Sequence, residues 1–500
     1  MPYSNPVITG HAPDPSIVRV DEDYYLATSS FNKLPGIPIH HSRDLVNWTV
    51  IGYAVTRPAQ YRRDGRDGPI ELFAPTLRYH DGTFFLVTTN AHPGQGNFLV
   101  TATDPAGQWS DAIWLDQGGF DPSLFRDNDG RWYYSRRSFD PGSRNEALGP
   151  IVTARIDVQT GELGDFEPAT SGAGGFVTND IEGPHIFKRD QWYYLTAAEG
   201  SSWKGHMQTL GRSTSPWGPF EPCPHNPIMT HRDRVGHCIQ SLGHADFVEA
   251  ADGTWWVVAL GTRHAPLAQH HNIGRETFLL PVTWTDDGWP VVGEAGTTEL
   301  QVNQDIPGTL DQDDVVDAEH WLGLKWPVPC TVAGGQVLLT GGSFPEAGRD
   351  AGLILRPQRA DDQWFTAELT QLPDGSLAGV GLYLDKRHFA YAVVESVQGR
   401  RQVRFRVSLD GLDHEQIMPL DVAGNIAFGL EARPDQYYFT VEGEPVGEVS
   451  ARLLSAEAAE WFVSAHLMLV HFGEGEAHFD RVESKLLEPR ESAVLPAFLL

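Results

Sequence analysis

One pattern recurs five times along this chain and decides most of what it can become: a short apolar run, a polar hairpin turn, and an aromatic run. The copies read Asp14-Pro15-Ser16-Ile17 with Tyr24-Tyr25-Leu26; Ala74-Pro75-Thr76-Leu77 with Phe84-Phe85-Leu86; Asp121-Pro122-Ser123-Leu124 with Trp132-Tyr133-Tyr134; Glu182-Gly183-Pro184-His185-Ile186 with Trp192-Tyr193-Tyr194; and His244-Ala245-Asp246-Phe247 with Trp255-Trp256-Val257. They start near residues 14, 74, 121, 183 and 244, at intervals of 47 to 62 residues. A strand, an Asp-Gly-type turn such as Asp81-Gly82 and an aromatic strand, repeated at that period, describe propeller blades. Five copies predict a five-bladed β-propeller. Because the first strand of a blade lines the axis, the residues that open the copies should meet at one mouth of the channel.

The repeat stops after Trp289-Pro290-Val291-Val292. Residues 1–295 are therefore read as the propeller, 296–314 as a linker, and 315–500 as a second domain. In that last part strands continue without blade periodicity. Gln402 to Leu409 alternates cleanly, with Val403, Phe405, Val407 and Leu409 on one face, as in a β-sandwich. Helical periodicity is confined to the neighbourhood of Leu453 to Phe462, so the fold class is all-β. Three cysteines, Cys223, Cys238 and Cys330, form no CxxC pair, which argues against a disulfide framework or a cysteine zinc site. With 66 Asp+Glu against 37 Lys+Arg, the formal charge is −29; nucleic acid and anionic membranes, both polyanionic, are poor partners for such a surface. No basic, apolar leader is visible at Met1 to Pro6, and no apolar run reaches the ~18 residues of a membrane helix, so the expected compartment is the cytoplasm. A homo-oligomer is compatible with all of this.

The residues opening the copies are unlike: Asp14, Ala74, Asp121, Glu182 and His244. Three are acids. Asp before Pro is ordinary turn chemistry, but three carboxyls gathered on one axis raise one another's pKa. Two carboxyls facing across a pocket are what hydrolysis of a glycosidic bond requires. Glu182, with the longer reach and one residue upstream of the aligned start, reads as the acid. Asp14 reads as the base, and Asp121 as the group that holds up the acid's pKa. A counter-cation is needed, and Arg275 is the candidate. Phe31 and Phe73 are candidate walls of a sugar subsite. His244 reads first as a hydrogen-bonded axial histidine and stands with Arg275, Phe31 and Phe73 among the candidate substrate-binding residues. No metal motif, Gly-rich phosphate loop or Ser elbow occurs.

These segments resemble glycoside hydrolase family 43, in particular its two-domain β-xylosidases and α-L-arabinofuranosidases. The likeness rests on His11-Ala12-Pro13-Asp14-Pro15-Ser16-Ile17, on Pro35 to Trp48, on Gly119-Phe120-Asp121-Pro122-Ser123-Leu124-Phe125, on Glu182-Gly183-Pro184-His185, on Gly243-His244-Ala245-Asp246 and on Gly274-Arg275-Glu276-Thr277. The resemblance implies a five-bladed propeller with a C-terminal jelly-roll-like sandwich, and single-displacement hydrolysis with inversion. It implies Asp14 as general base, Asp121 as pKa modulator, Glu182 as general acid and Arg275 as a substrate contact. It also implies that no cofactor is required, that a divalent cation, calcium, can lie near His244, and that an aromatic of the second domain, Trp461 or Phe462, helps close the pocket. Phe73 departs from the Trp that relatives often carry before Ala-Pro. The expected substrate is a small neutral oligosaccharide carrying a terminal β-D-xylose. The alternatives are an α-L-arabinofuranoside, alone or as well, and a carbohydrate-binding propeller without activity.

Overall fold

The computed structural model describes residues 2–65, 70–139, 149–170, 174–264, 269–307, 321–397 and 400–489. Among these the protein is nearly all-β; its helices are single turns such as Pro58–Tyr61 and Ala456–Ala459. The second lies in the one stretch with helical periodicity, and Ser455 caps it by accepting from the amide of Ala458. The chain divides into two compact units, one of Met1–Leu267 with Arg275–Glu319, the other of Ala268–Gly274 with His320–Leu500.

The first unit contains five antiparallel sheets in chain order, each opening with one of the repeated segments. Their first strands are Ser16–Val20, Thr76–His80, Gly119–Arg126, Ile181–Arg189 and Ile239–Glu249. Four sheets are simple four-strand meanders, and the fourth adds Met229–Thr230 beside its third strand. The turns behave as their residues dictate. Asp81 and Gly82 both take positive φ, 48° and 77°, the pair a type I′ hairpin needs.

Apolar side chains fill the gaps between successive sheets, one cluster per gap. Leu77, Leu86 and Phe98 of the second sheet pack on Ile39 and Val55 of the first, and Phe85 and Leu99 pack on Leu124 and Tyr134 of the third. Ile151 meets Ile186 and Leu195; Tyr194 and Leu210 meet Phe247 and Phe278. The last cluster joins fifth sheet to first, through Trp256 and Val258 against Ile17 and Leu26. Each such side chain, fully buried, stabilises by about 1.5–3 kcal/mol. The first strands also touch in a cycle, each its neighbour and the fifth the first.

At the centre of that cycle lies Arg78. It donates to Leu77 O (2.8 Å), Ser16 Oγ (3.2 Å), Leu124 O (3.1 Å), His185 Nδ1 (3.1 Å) and Asp246 Oδ2 (2.8 Å). One side chain therefore bonds to all five first strands. Arg78, with hydrogen bonds from Ser16 and Ile17, holds the buried Asp246 carboxyl low against the upward pull of its own burial, while burial pushes His185 down to about 3 and keeps it neutral.

Part of the stretch read as linker is tied to the first unit: Gln301–Val302 pairs with Tyr3–Ser4, and Glu299 binds Arg234 and His237. Residues 308–314 lie outside the described residues, as do the outermost residues of the two expected domains. The second unit has one sheet of seven strands and one of six, all antiparallel. Their apolar faces share a single core, in which Phe365, Phe428 and Phe479 of the larger sheet meet Val380, Phe405 and Leu469 of the smaller. Val403, Phe405 and Val407 face inward as their alternation predicts, with Leu409 packed at the margin. All three cysteines are free thiols.

Candidate active site

In four of the five repeats a residue at the head has the same backbone conformation. Asp14, Asp121, Gly183 and His244 have φ of 56°, 52°, 56° and 49°, a left-handed geometry that only Gly and, less readily, Asp, Asn and His adopt. At Asp121, Gly183 and His244 the pairing of first and second strands shifts register, so the conformation belongs to a β-bulge that re-aims one side chain. Asp14 and Asp121 are thus more than turn residues before proline. Glycine is required in the fourth copy, because a Cβ there would lie 2.6 Å from the His244 ring. The acid accordingly sits one residue earlier, at Glu182.

The bulges bring the three acids, His244 and Arg275 together. Asp14 is buried; it accepts from Ser29 Oγ at 2.5 Å and Arg275 Nη1 at 3.2 Å, and its Oδ1 lies 3.5 Å from His244 Nδ1. Burial alone would raise this carboxyl, but the Arg275 guanidinium, the His244 ring and the Ser29 hydroxyl bring it below its ordinary value. His244 is itself pushed down by burial. Asp14 is therefore an anion beside a neutral imidazole.

Asp121 and Glu182 form the other half. Oxygens of both and a ring nitrogen of His244 lie within 4.8 Å of one another, and Asp121 Oδ2 accepts from the amide of Gly183 at 3.1 Å. Burial, then the charges of Glu182 and Asp14, push Asp121 well above the usual carboxylate range. Burial raises Glu182 to about 7; Asp180 and Asp14 add to the rise, while Arg137 and Arg275 oppose it. The charge of Glu182 is thus one cause of the rise at Asp121, and both carboxyls keep their protons to higher pH than ordinary carboxyls do.

Aromatic rings run between the two halves. Arg275 lies 5.1 Å from the ring centre of Phe31, which is followed by Phe73 at 5.5 Å, Phe120 at 6.4 Å and Phe139 at 5.8 Å from the ring before it. Phe31 and Phe73, both named from the sequence, are the first two members. Phe120, Phe139, Ser29 and Arg137 were not. Phe120 stands beside Asp121 in a motif already singled out, and its place next to a bulged acid was the available signal. Arg137 lies in the second strand of its sheet, opposite Phe120, where the repeat carries no information about which side chains face the axis.

Asp121, Glu182 and His244 could each offer one atom to a cation. Calcium takes six to eight oxygens, waters among them, so these two carboxylates and one imidazole would supply only part of its shell.

A site in which one buried carboxyl is brought below its ordinary pKa and a neighbouring one is raised above it can deliver a base and an acid to a single bond. Comparison with known proteins agrees with that chemistry. The family model "Glycosyl hydrolases family 43" matches residues 3–290. A Bacteroides ovatus protein named non-reducing end alpha-L-arabinofuranosidase is 34% identical across 95% of this chain and 92% of its own length. A Humicola insolens xylosidase/arabinosidase is 30% identical across 89% and 88%. The crystal structure of a xylan beta-1,4-xylosidase from Bacillus halodurans superposes with a TM-score of 0.84 at 29% identity, covering 96% of this chain and 99% of that one. The chain belongs to glycosyl hydrolase family 43 and is a glycoside hydrolase.

Proposed function

We propose that this protein is an inverting, exo-acting glycosidase that removes terminal β-D-xylose from short neutral xylo-oligosaccharides in the cytoplasm. One observation carries the reading: within a single site Asp14 is paired with Arg275 and Ser29, which bring it below its ordinary value, while Glu182 and Asp121 crowd together and are raised above theirs. Glu182 gives its proton to the glycosidic oxygen as the bond from C1 breaks. Asp14 takes a proton from the water that attacks C1 on the opposite face. Asp121 keeps the acid protonated until that moment, and the Phe31 and Phe73 rings pack on the sugar. Arg275, besides fixing Asp14, donates to a sugar hydroxyl.

We read the five sheets as blades of a five-bladed β-propeller; the cyclic contacts of their first strands and the core cluster in each gap support this. The sheets of seven and six strands read as a jelly-roll-like β-sandwich around one core.

A second reading, α-L-arabinofuranosidase activity alone or alongside, is favoured by the name of the Bacteroides ovatus relative and by Phe73 in the aromatic wall. Both sugars are pentoses, and the wall decides between them. Release of p-nitrophenol from the β-D-xyloside and the α-L-arabinofuranoside separates the readings, and turnover of the arabinofuranoside alone would transfer the assignment. Proton NMR of early product should show α-xylose first; β-xylose first would rule out inversion.

A further inference from the structure

The site contains a second buried guanidinium that the reaction as described does not use. Arg137 is 1% exposed. Its Nη1 donates to Asp180 Oδ1 and to Ile181 O, both at 2.9 Å, and stands 3.7 Å from Glu182 Oε2. Its guanidinium carbon lies 5.2 Å from the centre of the Phe120 ring. Among the described residues, Nε and Nη2 are buried and have no hydrogen-bond partner. A buried cation with unpaired N–H groups is expensive, and an apolar side chain of like volume would serve packing as well or better. Its retention calls for an electrostatic reason.

The proton balance supplies one. Before reaction, Glu182 carries the proton that the leaving oxygen will take. When the bond from C1 breaks, its electron pair goes to the leaving oxygen, which takes the proton of Glu182, while the attacking water passes a proton to Asp14. Glu182 is then left as an anion, close to Asp121 and Asp180. The charged or titratable groups around Glu182 are Arg137, Asp180, Asp14, Arg275, Asp121 and His244, with the Ser202 hydroxyl 3.4 Å from Oε1. Only two are cations, and Arg275 is engaged by Asp14.

We propose that Arg137 is a positioning residue that fixes the carboxyl of Glu182 and stabilises it as an anion once its proton has gone to the leaving oxygen. Through Asp180 and Ile181 it also anchors the backbone immediately before Glu182. The proposal rests on Glu182 being the acid.

The test compares Arg137→Met, Arg137→Lys and Glu182→Gln on two xylosides, one with a poor leaving group (xylobiose) and one with a good one (2,4-dinitrophenol), which needs no proton. Arg137→Met should lower kcat on xylobiose by about 100-fold, the scale of general-acid catalysis, and change it by less than about threefold on the activated substrate. The alkaline limb of its pH profile should move upward, because removing a cation raises the acid's pKa. Arg137→Lys should recover part of the rate. Equal losses on both substrates, or an unmoved alkaline limb, would overturn the proposal. If the Met variant does not fold, the Lys variant decides it by the same two criteria. If Glu182→Gln shows no selective loss on xylobiose, the acid assignment itself fails; if it does and neither Arg137 variant follows, only the inference about Arg137 fails.

Discussion

Asp14 and Glu182 are matched in nearly every respect but one. Each is a carboxyl in the same site with a guanidinium near it, Arg275 at 3.2 Å and Arg137 at 3.7 Å. Asp14 has its arginine and a serine hydroxyl, whereas Glu182 shares its arginine with Asp180 and crowds against Asp121. Burial pushes both carboxyls up; the number of acids per guanidinium decides which stays up. The opposite shifts arise because burial, which raises both, is outweighed at Asp14 by Arg275, His244 and Ser29 and is not outweighed at Glu182.

The hardest way to break this contrast is to remove each carboxyl and vary the leaving group. Asp14→Asn should reduce kcat/KM by about 1,000-fold or more on every glycoside, since water must be activated whatever departs. Glu182→Gln should match that loss on xylobiose and nearly spare an aryl glycoside with a good leaving group. Identical leaving-group dependence in the two variants would dissolve the distinction.

Arg275→Met sharpens the comparison from the other side. Without its cation, Asp14 should titrate at higher pH, so the acid limb of the rate profile moves toward neutrality. A fall in kcat/KM of about 10- to 100-fold is expected, the worth of a hydrogen bond to a charged group. An acid limb that stays in place would mean that Arg275 does not set the charge of Asp14.

A smaller effect should appear in stability. Glu182 titrates near 7 when folded, above its ordinary 4.5, so the folded chain binds a proton that the unfolded chain releases between those values. Stability from this group is therefore present below about 4.5 and is lost as pH rises through about 7. Glu182→Gln should raise Tm by a few degrees at pH 8 and leave it unchanged at pH 4; differential scanning calorimetry at both pH values checks this. Smallest of all, dialysis against EDTA should leave kcat unaltered, because the two guanidiniums already supply the positive charge. Loss of activity restored by calcium would contradict the balance described here.

How much of this was legible beforehand follows from what a repeat can encode. The copies announced five sheets and placed Asp14, Asp121 and Glu182 at equivalent heads, since the order strand, turn, aromatic strand is a local property of the chain. They even showed Glu182 one residue out of step, though not that Gly183 must occupy the bulge beneath the His244 ring. Arg137 was invisible for a different reason. In the pair Arg136-Arg137, alternation sends one side chain to Asp116 and the Phe166 ring and the other to Phe120 and Glu182. Nothing in the sequence says which face of that second strand looks inward. Ser29 was missed likewise: it reaches Asp14 only because the chain turns back after Ala27, and its amide bonds to Pro13 O.

Arg78 gives the first unit a property that a row of similar sheets would not otherwise have. In an open array each module contacts only its neighbours, so an end module can melt by itself. Here one half-buried guanidinium is bonded to the first strand of each of the five repeated sheets, and opening any one of the other four strands withdraws a partner from it. Fraying is therefore discouraged at all five positions at once. Because Asp14, Asp121 and Glu182 stand at the heads of those same strands, the bonds that discourage fraying also help to keep the active-site carboxyls in register.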